Sequence, residues 1–123
     1  MNTTVTFDSS AWIEYFAGTS KGRKVKKYID ENANIFTPSI CLMEIKNKYL
    51  REGYKYKARI DFISNISSII DIDKEIALKG AEIKYKHHLY TVDAVIYATS
   101  KFKKSTLITG DHHFEKLKDV EII

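Results

Sequence analysis

The sequence predicts an α/β fold, a three-layer α/β/α sandwich with a central parallel sheet of four to five strands. Short β-branched or aromatic segments alternate with longer segments of helical periodicity along all 123 residues, and this alternation is typical of a parallel sheet flanked by helices. The length and the hydrophobic content of 44% suit one domain, residues 1–123, with one ordinary core.

The first two predicted elements are a strand and a helix that meet at Asp8. Residues 3–7 are β-branched or aromatic and predict a strand. Asp8 and the two serines after it favour a helix N-cap, and the apolar residues at 11–16 recur at helical spacing. The strand contains Thr4 and Thr6, whereas a central parallel strand is usually apolar throughout. The simplest structural role for Asp8 is the cap alone.

The rest of the chain continues the alternation. Further helices are predicted at 21–31, 39–51, 60–66, 74–88 and 94–102, with a short helical turn at 114–117. Further strands are predicted at 35–37, 69–72, 106–109 and 120–123. Pro38 suits the first position of the helix at 39–51, with Thr37 or Ser39 as its cap, and Asp73 suits the cap of the helix at 74–88.

Four acidic residues occupy positions that can converge in such a fold. Asp8 and Asp111 each end a strand, Asp93 begins a helix, and Glu44 lies one or two turns into the helix that follows a strand. In a doubly wound sheet all four positions can fall on the carboxyl edge, where ligands bind. Each acid alone has a structural explanation: a cap, a turn or, for Glu44, a surface ion pair with Lys48.

Four carboxylates at one edge would favour a particular chemistry. Two like charges about 4 Å apart repel by roughly 4 kcal/mol at an effective dielectric of 20. A cluster of this kind must therefore protonate, spread apart or hold a cation. Oxygen ligands suit Mg²⁺ and Mn²⁺, which activate water and offset charge that builds on a phosphoryl group. The acids thus point to metal-assisted hydrolysis of phosphodiesters.

Four stretches of the sequence resemble the PIN-domain nucleases, and within them the VapC toxins of toxin–antitoxin pairs. They are residues 8–13 (Asp-Ser-Ser-Ala-Trp-Ile), Glu44, residues 92–99 (Val-Asp-Ala-Val-Ile-Tyr-Ala-Thr) and residues 107–114 (Leu-Ile-Thr-Gly-Asp-His-His-Phe). The resemblance covers essentially the full chain, and the last two motifs are the most specific. Tyr97 departs from the pattern, because the family often has a small residue there.

The resemblance implies roles for individual residues. It matches Asp8, Glu44, Asp93 and Asp111 to the acidic quartet of the family. Asp8 and Asp93 match its principal metal ligands, and the other two acids complete the site directly or through water. Thr109 matches a hydroxyl residue that supports the fourth acid and contacts the scissile phosphate, and Ser9 has a similar supporting role.

The resemblance also implies an activity and partners. The expected reaction is endonucleolytic cleavage of RNA by a metal-activated water, with Mg²⁺ or Mn²⁺ as the cofactor. The expected partners are the RNA substrate, an antitoxin protein that blocks the active site and a second copy of the chain in a homodimer. Two alternatives stay open: an RNA-processing PIN nuclease without an antitoxin, and a catalytically inactive PIN-like binding module.

Composition sets the expected location. No apolar run approaches the roughly 20 residues of a membrane span, and the first residues do not resemble a secretory signal. We therefore expect a cytoplasmic protein without a membrane partner. The single cysteine, Cys41, excludes an internal disulfide and a cysteine-based zinc site.

Basic residues and histidines suggest further, less specific sites. The net charge of +4 is compatible with a nucleic-acid partner. Lys46, Lys48 and Arg51 follow Glu44 and either form a phosphate-binding wall for RNA or face solvent. The histidine pairs at 87–88 and 112–113 could bind zinc, or His112 could protonate a leaving group. Adjacent histidines do not share a helical face, and this disfavours both the zinc site and the proton-donor role.

Overall fold

The computed structural model describes residues 3–123 and has a parallel sheet at its centre. Within these residues five strands lie in the order β3-β2-β1-β4-β5, and every neighbouring pair is parallel. The strands are β1 (Thr4–Phe7), β2 (Asn34–Pro38), β3 (Ser68–Ile70), β4 (Thr106–Thr109) and β5 (Val120–Ile122). The predicted parallel sheet is confirmed, with β1 as its central strand.

Helices cover both faces of the sheet. They are α1 (Ser9–Ala17), α2 (Ser20–Asp30), α3 (Ser39–Glu52), α4 (Lys57–Ile66), α5 (Lys74–His87) and α6 (Thr91–Phe102), with a 3₁₀ turn at His112–Phe114. One core cluster joins α1, α2 and α4 to the sheet, and a second joins α5 and α6. Helix α3 contributes Ile45 to the first cluster and Cys41 to the second. This arrangement confirms the three-layer sandwich.

Trp12 anchors the core on the α1 side. Its side chain is fully buried, and its ring meets Phe7 edge to face with 5.0 Å between centroids. The indole Nε1 donates a hydrogen bond to Thr37 Oγ1 at 3.1 Å, so the one polar atom of the side chain has a partner. Trp12 is thus a core residue and is not available to stack on a base.

Buried hydroxyl pairs explain how a central strand tolerates threonine. Thr6 is fully buried in β1, between β2 and β4. Its Oγ1 lies 2.6 Å from Ser105 Oγ, which is also within 3.0 Å of Ser100 Oγ. Because the hydroxyl is hydrogen-bonded, its burial carries little penalty.

A close approach of two backbones fixes the α1–α2 hairpin. Gly22 is buried in the first turn of α2, against the last turn of α1. A Cβ atom at this position would lie 2.1 Å from the carbonyl oxygen of Glu14. Only glycine therefore permits the two helices to pack at this distance.

Several local predictions are wrong. Strand β3 ends at Ile70, not at Ile72, because it is a short edge strand and Ile72 is 42% exposed. Pro38 ends β2 and occupies the N-cap of α3, which has no side-chain cap because proline has no side-chain acceptor. The Thr37 hydroxyl, predicted as a cap, is hydrogen-bonded to Trp12 instead.

Helices α4 and α6 begin at Lys57 and Thr91, each three residues earlier than predicted. The short helical turn lies at His112–Phe114 and not at 114–117, because the Asp111 side chain caps it at the end of β4.

No helix within residues 3–123 combines the length and the apolar character that a bilayer crossing demands.

Candidate active site

Adjacent elements carry the four predicted acids to one edge of the sheet. Asp8 directly follows β1, and Asp111 follows β4, the strand that pairs with β1 in parallel. Asp93 lies in the first turn of α6, and Glu44 lies in the second turn of α3. Burial raises the pKa of both Asp93 and Asp8; the charges of Asp111 and Glu44 raise that of Asp93 further, and the charge of Asp111 raises that of Asp8 slightly. The acids therefore form one electrostatic group.

Asp8 is the innermost acid of the group. It is 3% exposed, and its Oδ1 accepts hydrogen bonds from Ser10 Oγ at 2.6 Å and from the Ala11 backbone N–H at 3.0 Å. Oδ2 accepts a hydrogen bond from Thr109 Oγ1 at 2.5 Å. Burial raises the pKa of Asp8 to about 6, although these hydrogen bonds oppose the shift. Asp8 therefore caps α1, and its carboxylate also joins β1 to β4.

Two hydroxyl side chains hold the ends of β1 and β4 together. Thr109 Oγ1 also accepts a hydrogen bond from the Asp111 backbone N–H at 2.9 Å, which places the first and fourth acids on the same hydroxyl. Ser10 Oγ accepts a hydrogen bond from the Gly110 backbone N–H at 2.8 Å. The sequence indicated a supporting role for Thr109, but it did not single out Ser10, which was visible only as the second serine after the strand.

Glu44 is held by a serine of α1. Ser9 Oγ donates a hydrogen bond to Glu44 Oε1 at 2.9 Å. Lys48, the alternative partner of Glu44, forms an ion pair with Glu52 instead, with 2.9 Å between Nζ and Oε1. The half-buried Glu44 therefore points toward the sheet edge and not along the surface of α3.

His113 completes a compact set of ligand atoms with two of the acids. One donor atom from each of Asp93, Asp111 and His113 lies within 4.8 Å of the others. His113 Nδ1 is 3.2 Å from Asp111 Oδ1 and 3.7 Å from Asp93 Oδ2. Burial, followed by the charge of Asp111, raises the pKa of Asp93, whereas His113 lowers it. Asp8 and Glu44, which were also predicted as metal ligands, contribute no atom to this set.

The 3₁₀ turn determines which histidine faces the acids. His112, which the sequence suggested as a proton donor, points to Glu115, with 3.2 Å between Nδ1 and Oε2. His113 instead packs beside the exposed Tyr90, with 5.6 Å between ring centroids. The sequence showed the two adjacent histidines, but it could not show which imidazole would lie beside the acids.

The donor atoms fit a hard divalent cation. Carboxylate oxygens dominate the set, as Mg²⁺ and Mn²⁺ prefer, and a single imidazole is compatible with Mn²⁺. Cys41 lies nearby, but burial, with the charges of Asp8, Glu44 and Asp93, raises its thiol pKa well above the ordinary value. The protonated thiol is therefore a poor ligand and a poor nucleophile.

The basic residues predicted to form a wall on α3 have other contacts. Lys46 Nζ lies 4.8 Å from the ring centroid of Tyr56, and Lys48 pairs with Glu52. Arg51 is exposed in the last turn of the helix, roughly 10 Å beyond Glu44 along the axis. A role of these residues in RNA binding stays a prediction.

Comparisons with known proteins find relatives that match almost the whole chain. Ribonuclease VapC6 of Methanocaldococcus jannaschii is 28% identical over 146 aligned residues, covering 97% of this chain and 95% of the relative. A toxin–antitoxin complex from Klebsiella pneumoniae has a TM-score of 0.79 at 23% identity, with 95% of each chain covered. Mycobacterium tuberculosis VapC20, described as a sarcin–ricin loop cleaving toxin, has a TM-score of 0.76 at 18% identity and covers 96% of this chain and 98% of its own.

A protein-family model also matches most of the chain. The model of the PIN domain matches residues 5–120, a span that runs from β1 to the start of β5 and includes all four acids. The chain therefore belongs to the PIN-domain family.

Proposed function

We propose that this protein is a metal-dependent endoribonuclease and the toxin of a VapBC-type toxin–antitoxin pair. The convergence of Asp8, Glu44, Asp93 and Asp111 on one sheet edge carries this proposal, since acids of four separate segments meet there. Capping explains Asp8 at α1 and Asp111 at the 3₁₀ turn, but it gives no reason for Asp93 and Asp111 to place ligand atoms within 4.8 Å. Such a pair of carboxylates is costly to hold together without a cation.

The residues of the chain have distinct tasks in the proposed reaction. Asp93 and Asp111 would hold Mg²⁺ or Mn²⁺, with Glu44 and Asp8 completing the negative site. The bound cation supplies a nucleophilic water at neutral pH and stabilises charge on the phosphate. Ser9 fixes the carboxylate of Glu44, and Thr109 fixes those of Asp8 and Asp111 through its two hydrogen bonds. The acids then do not need to reorganise when RNA binds.

Relatives support the biological role. VapC6 is named a ribonuclease, and the Klebsiella pneumoniae structure is a toxin–antitoxin complex. We propose that an antitoxin protein likewise binds this chain, that two copies form a homodimer, and that the enzyme acts in the cytoplasm on RNA. A cleft of about 350 Å³ between α1, α3 and α4 offers apolar surface for a partner, including Ile13, Phe16 and Tyr49.

Cleavage of end-labelled RNA by the purified protein tests the activity. The reaction is run with Mn²⁺, with EDTA, and with Asp93→Asn beside the wild type. We expect cleavage only with the metal, and a loss of at least 100-fold in Asp93→Asn. Asp61→Asn is the matched control, because Asp61 is an exposed acid on α4.

The outcomes separate the alternatives. Equal cleavage by Asp93→Asn and wild type would mean that the acids are not the site. Absence of cleavage of any RNA, together with absence of Mn²⁺ binding by calorimetry, would indicate a binding module that uses its acids as caps.

A further inference from the structure

A basic cleft adjoins the candidate active site on the α5 side. Two hollows of about 380 and 410 Å³ lie between α5 and the segment 112–118, and they share Lys86, His87, Lys116 and Leu117. We call the continuous surface the α5 cleft. Its first hollow is also lined by His113, whose Nδ1 is 3.2 Å from Asp111, so the cleft opens beside the acids.

The α5 cleft carries uncompensated positive charge. Among the ion pairs of residues 3–123, Lys79 is joined to Glu82 at 3.6 Å and Lys101 to Asp119 at 2.7 Å. The other lysines of the cleft, Lys86, Lys116 and Lys118, are exposed and form no ion pair with a carboxylate within that described span.

The acids of the cleft do not cancel this charge. Glu115, at the rim of the first hollow, faces His112 at 3.2 Å, and Glu82 faces Lys79. Three ammonium groups therefore remain free to bind an anion. The α3 surface differs, because Lys48 there is neutralised by Glu52 and Lys46 packs on Tyr56.

The chemistry of the cleft fits a polyphosphate strand. Lysine binds phosphate as a point charge and does not read bases. Lys79 and Lys86 are seven residues apart on α5, about 10 Å along the helix, so the cleft is long enough to meet more than one phosphate. The ring of Tyr97 is not available for stacking, since Tyr97 is 5% exposed and its hydroxyl donates to the Lys118 carbonyl at 2.8 Å.

We infer that the α5 cleft holds the RNA strand next to the scissile phosphate, through Lys86, Lys116 and Lys118. This inference rests on the proposed ribonuclease function and names where its substrate lies. An acidic protein segment has similar charge, but the opening of the cleft on the acids favours a strand that must pass through the site.

Salt-dependent RNA binding tests the inference. A triple variant, Lys86→Gln with Lys116→Gln and Lys118→Gln, is compared with wild type by fluorescence anisotropy of a labelled single-stranded RNA in EDTA. Loss of three phosphate contacts should reduce the slope of log K against log[salt] by about 2 and the affinity at low salt by more than 10-fold. The corresponding triple Lys→Arg variant should retain both.

A control variant removes the same charge elsewhere. Lys21, Lys24 and Lys27 are exposed on α2, which packs on the opposite face of the sheet from α5, and all three are changed to Gln. We expect this control to lose less than 3-fold in affinity. Equal losses in the two triple variants would overturn the inference, because they would report net charge alone.

Kinetics separate this inference from the proposed function. In Mn²⁺ the cleft variant should raise KM and leave kcat within about 3-fold, since none of its residues belongs to the acid group. If the wild type cleaves RNA and the cleft variant has the same KM and RNA affinity, the inference about the α5 cleft fails, but the proposed function stands. Polyglutamate serves as a probe for an acidic protein segment. If the cleft variant binds RNA normally but no longer binds polyglutamate, the inference also fails, and the cleft is assigned to a protein partner. If wild type neither binds nor cleaves RNA, the proposed function fails as well.

Discussion

Thr109 and Asp8 are joined by a hydrogen bond between the ends of two neighbouring strands, at the carboxyl edge of the sheet. Thr109 Oγ1 lies at the end of β4 and donates to Asp8 Oδ2, at the end of β1, over 2.5 Å. The same oxygen accepts the Asp111 backbone N–H. One hydroxyl therefore sets the position of an acid from each end of the sequence.

Thr109→Val should reveal how much this hydroxyl contributes. Valine keeps the shape but leaves a buried oxygen of Asp8 and the Asp111 N–H without their partner. Loss of such a supporting contact typically reduces metal affinity or activity 10–100-fold. Calorimetric titration with Mn²⁺ and the RNA cleavage rate both measure this loss. Thr109→Ser, which retains the hydroxyl, should stay near wild type; a valine variant with wild-type affinity would contradict the role.

Asp8 should make the metal-free protein less stable as pH rises. Its pKa is about 6 in the folded protein and about 4 in an unfolded chain, so the fold favours the protonated form. The stability that it contributes is complete below about pH 4 and is lost as pH rises through 6. The loss by pH 8 is up to about 3 kcal/mol.

Asp8→Asn removes this pH dependence. In urea unfolding with EDTA, we expect the variant to exceed wild type in free energy of unfolding at pH 8 and the difference to shrink toward pH 4. Asp61→Asn, on the surface of α4, is the control. A difference that stays constant from pH 4 to pH 8 would show that Asp8 does not titrate in this range.

Asp93 should link metal binding to thermal stability. At 100 times its Kd, Mn²⁺ should stabilise the wild-type protein by about 2.7 kcal/mol. Asp93→Asn removes repulsion from Asp111 and Glu44, so the melting temperature without metal should rise by a few degrees. The shift produced by Mn²⁺ should fall to less than half. An unchanged shift in differential scanning calorimetry would place Asp93 outside the metal site.

Two buried glycines in helices should respond oppositely to alanine. Gly22→Ala places a Cβ 2.1 Å from the Glu14 carbonyl oxygen and should cost 1–3 kcal/mol or more. Gly80→Ala places a Cβ 3.8 Å from the Ala94 carbonyl oxygen, an ordinary contact, and should stabilise α5 by up to about 1 kcal/mol. Urea unfolding of both variants at one pH measures the contrast. Equal effects would mean that the α1–α2 contact can relax.

The fold was largely predictable because each strand and helix has its own local pattern. Apolar alternation, the turn residues and the cap at Asp73 depend on neighbours in sequence, and Asp73 Oδ1 indeed accepts the Ile76 N–H at 2.8 Å. Predictions were wrong where the structure depends on which residues pair between strands. Ile72 has the composition of a strand residue, but it lies beyond the last pairing partner that β2 offers to β3.

The sequence predicted the positions of the four acids, but it did not predict the contacts of the residues around them. Strand ends place Asp8 and Asp111 at one edge, so that sequence position alone brings them together. The roles of Ser10 and His113 depend on contacts with other segments, at Gly110 and at Asp93. For the lysines of α3, helical position gives the exposed face but cannot show that Glu52 already neutralises Lys48.

The sheet order has a consequence for the assembly of the acid group. Strand β1 lies between β2 and β4, and these two neighbours are 68 residues apart from the end of one to the start of the other. Thr109 follows Asp8 by 101 residues in the sequence. Until β4 pairs with β1, Asp8 has its local hydrogen bonds from Ser10 and Ala11 but lacks the one from Thr109, and Asp111 is absent from the edge. The acid group is therefore completed by the pairing of β4 with β1, and not by the folding of the segments that carry the first three acids.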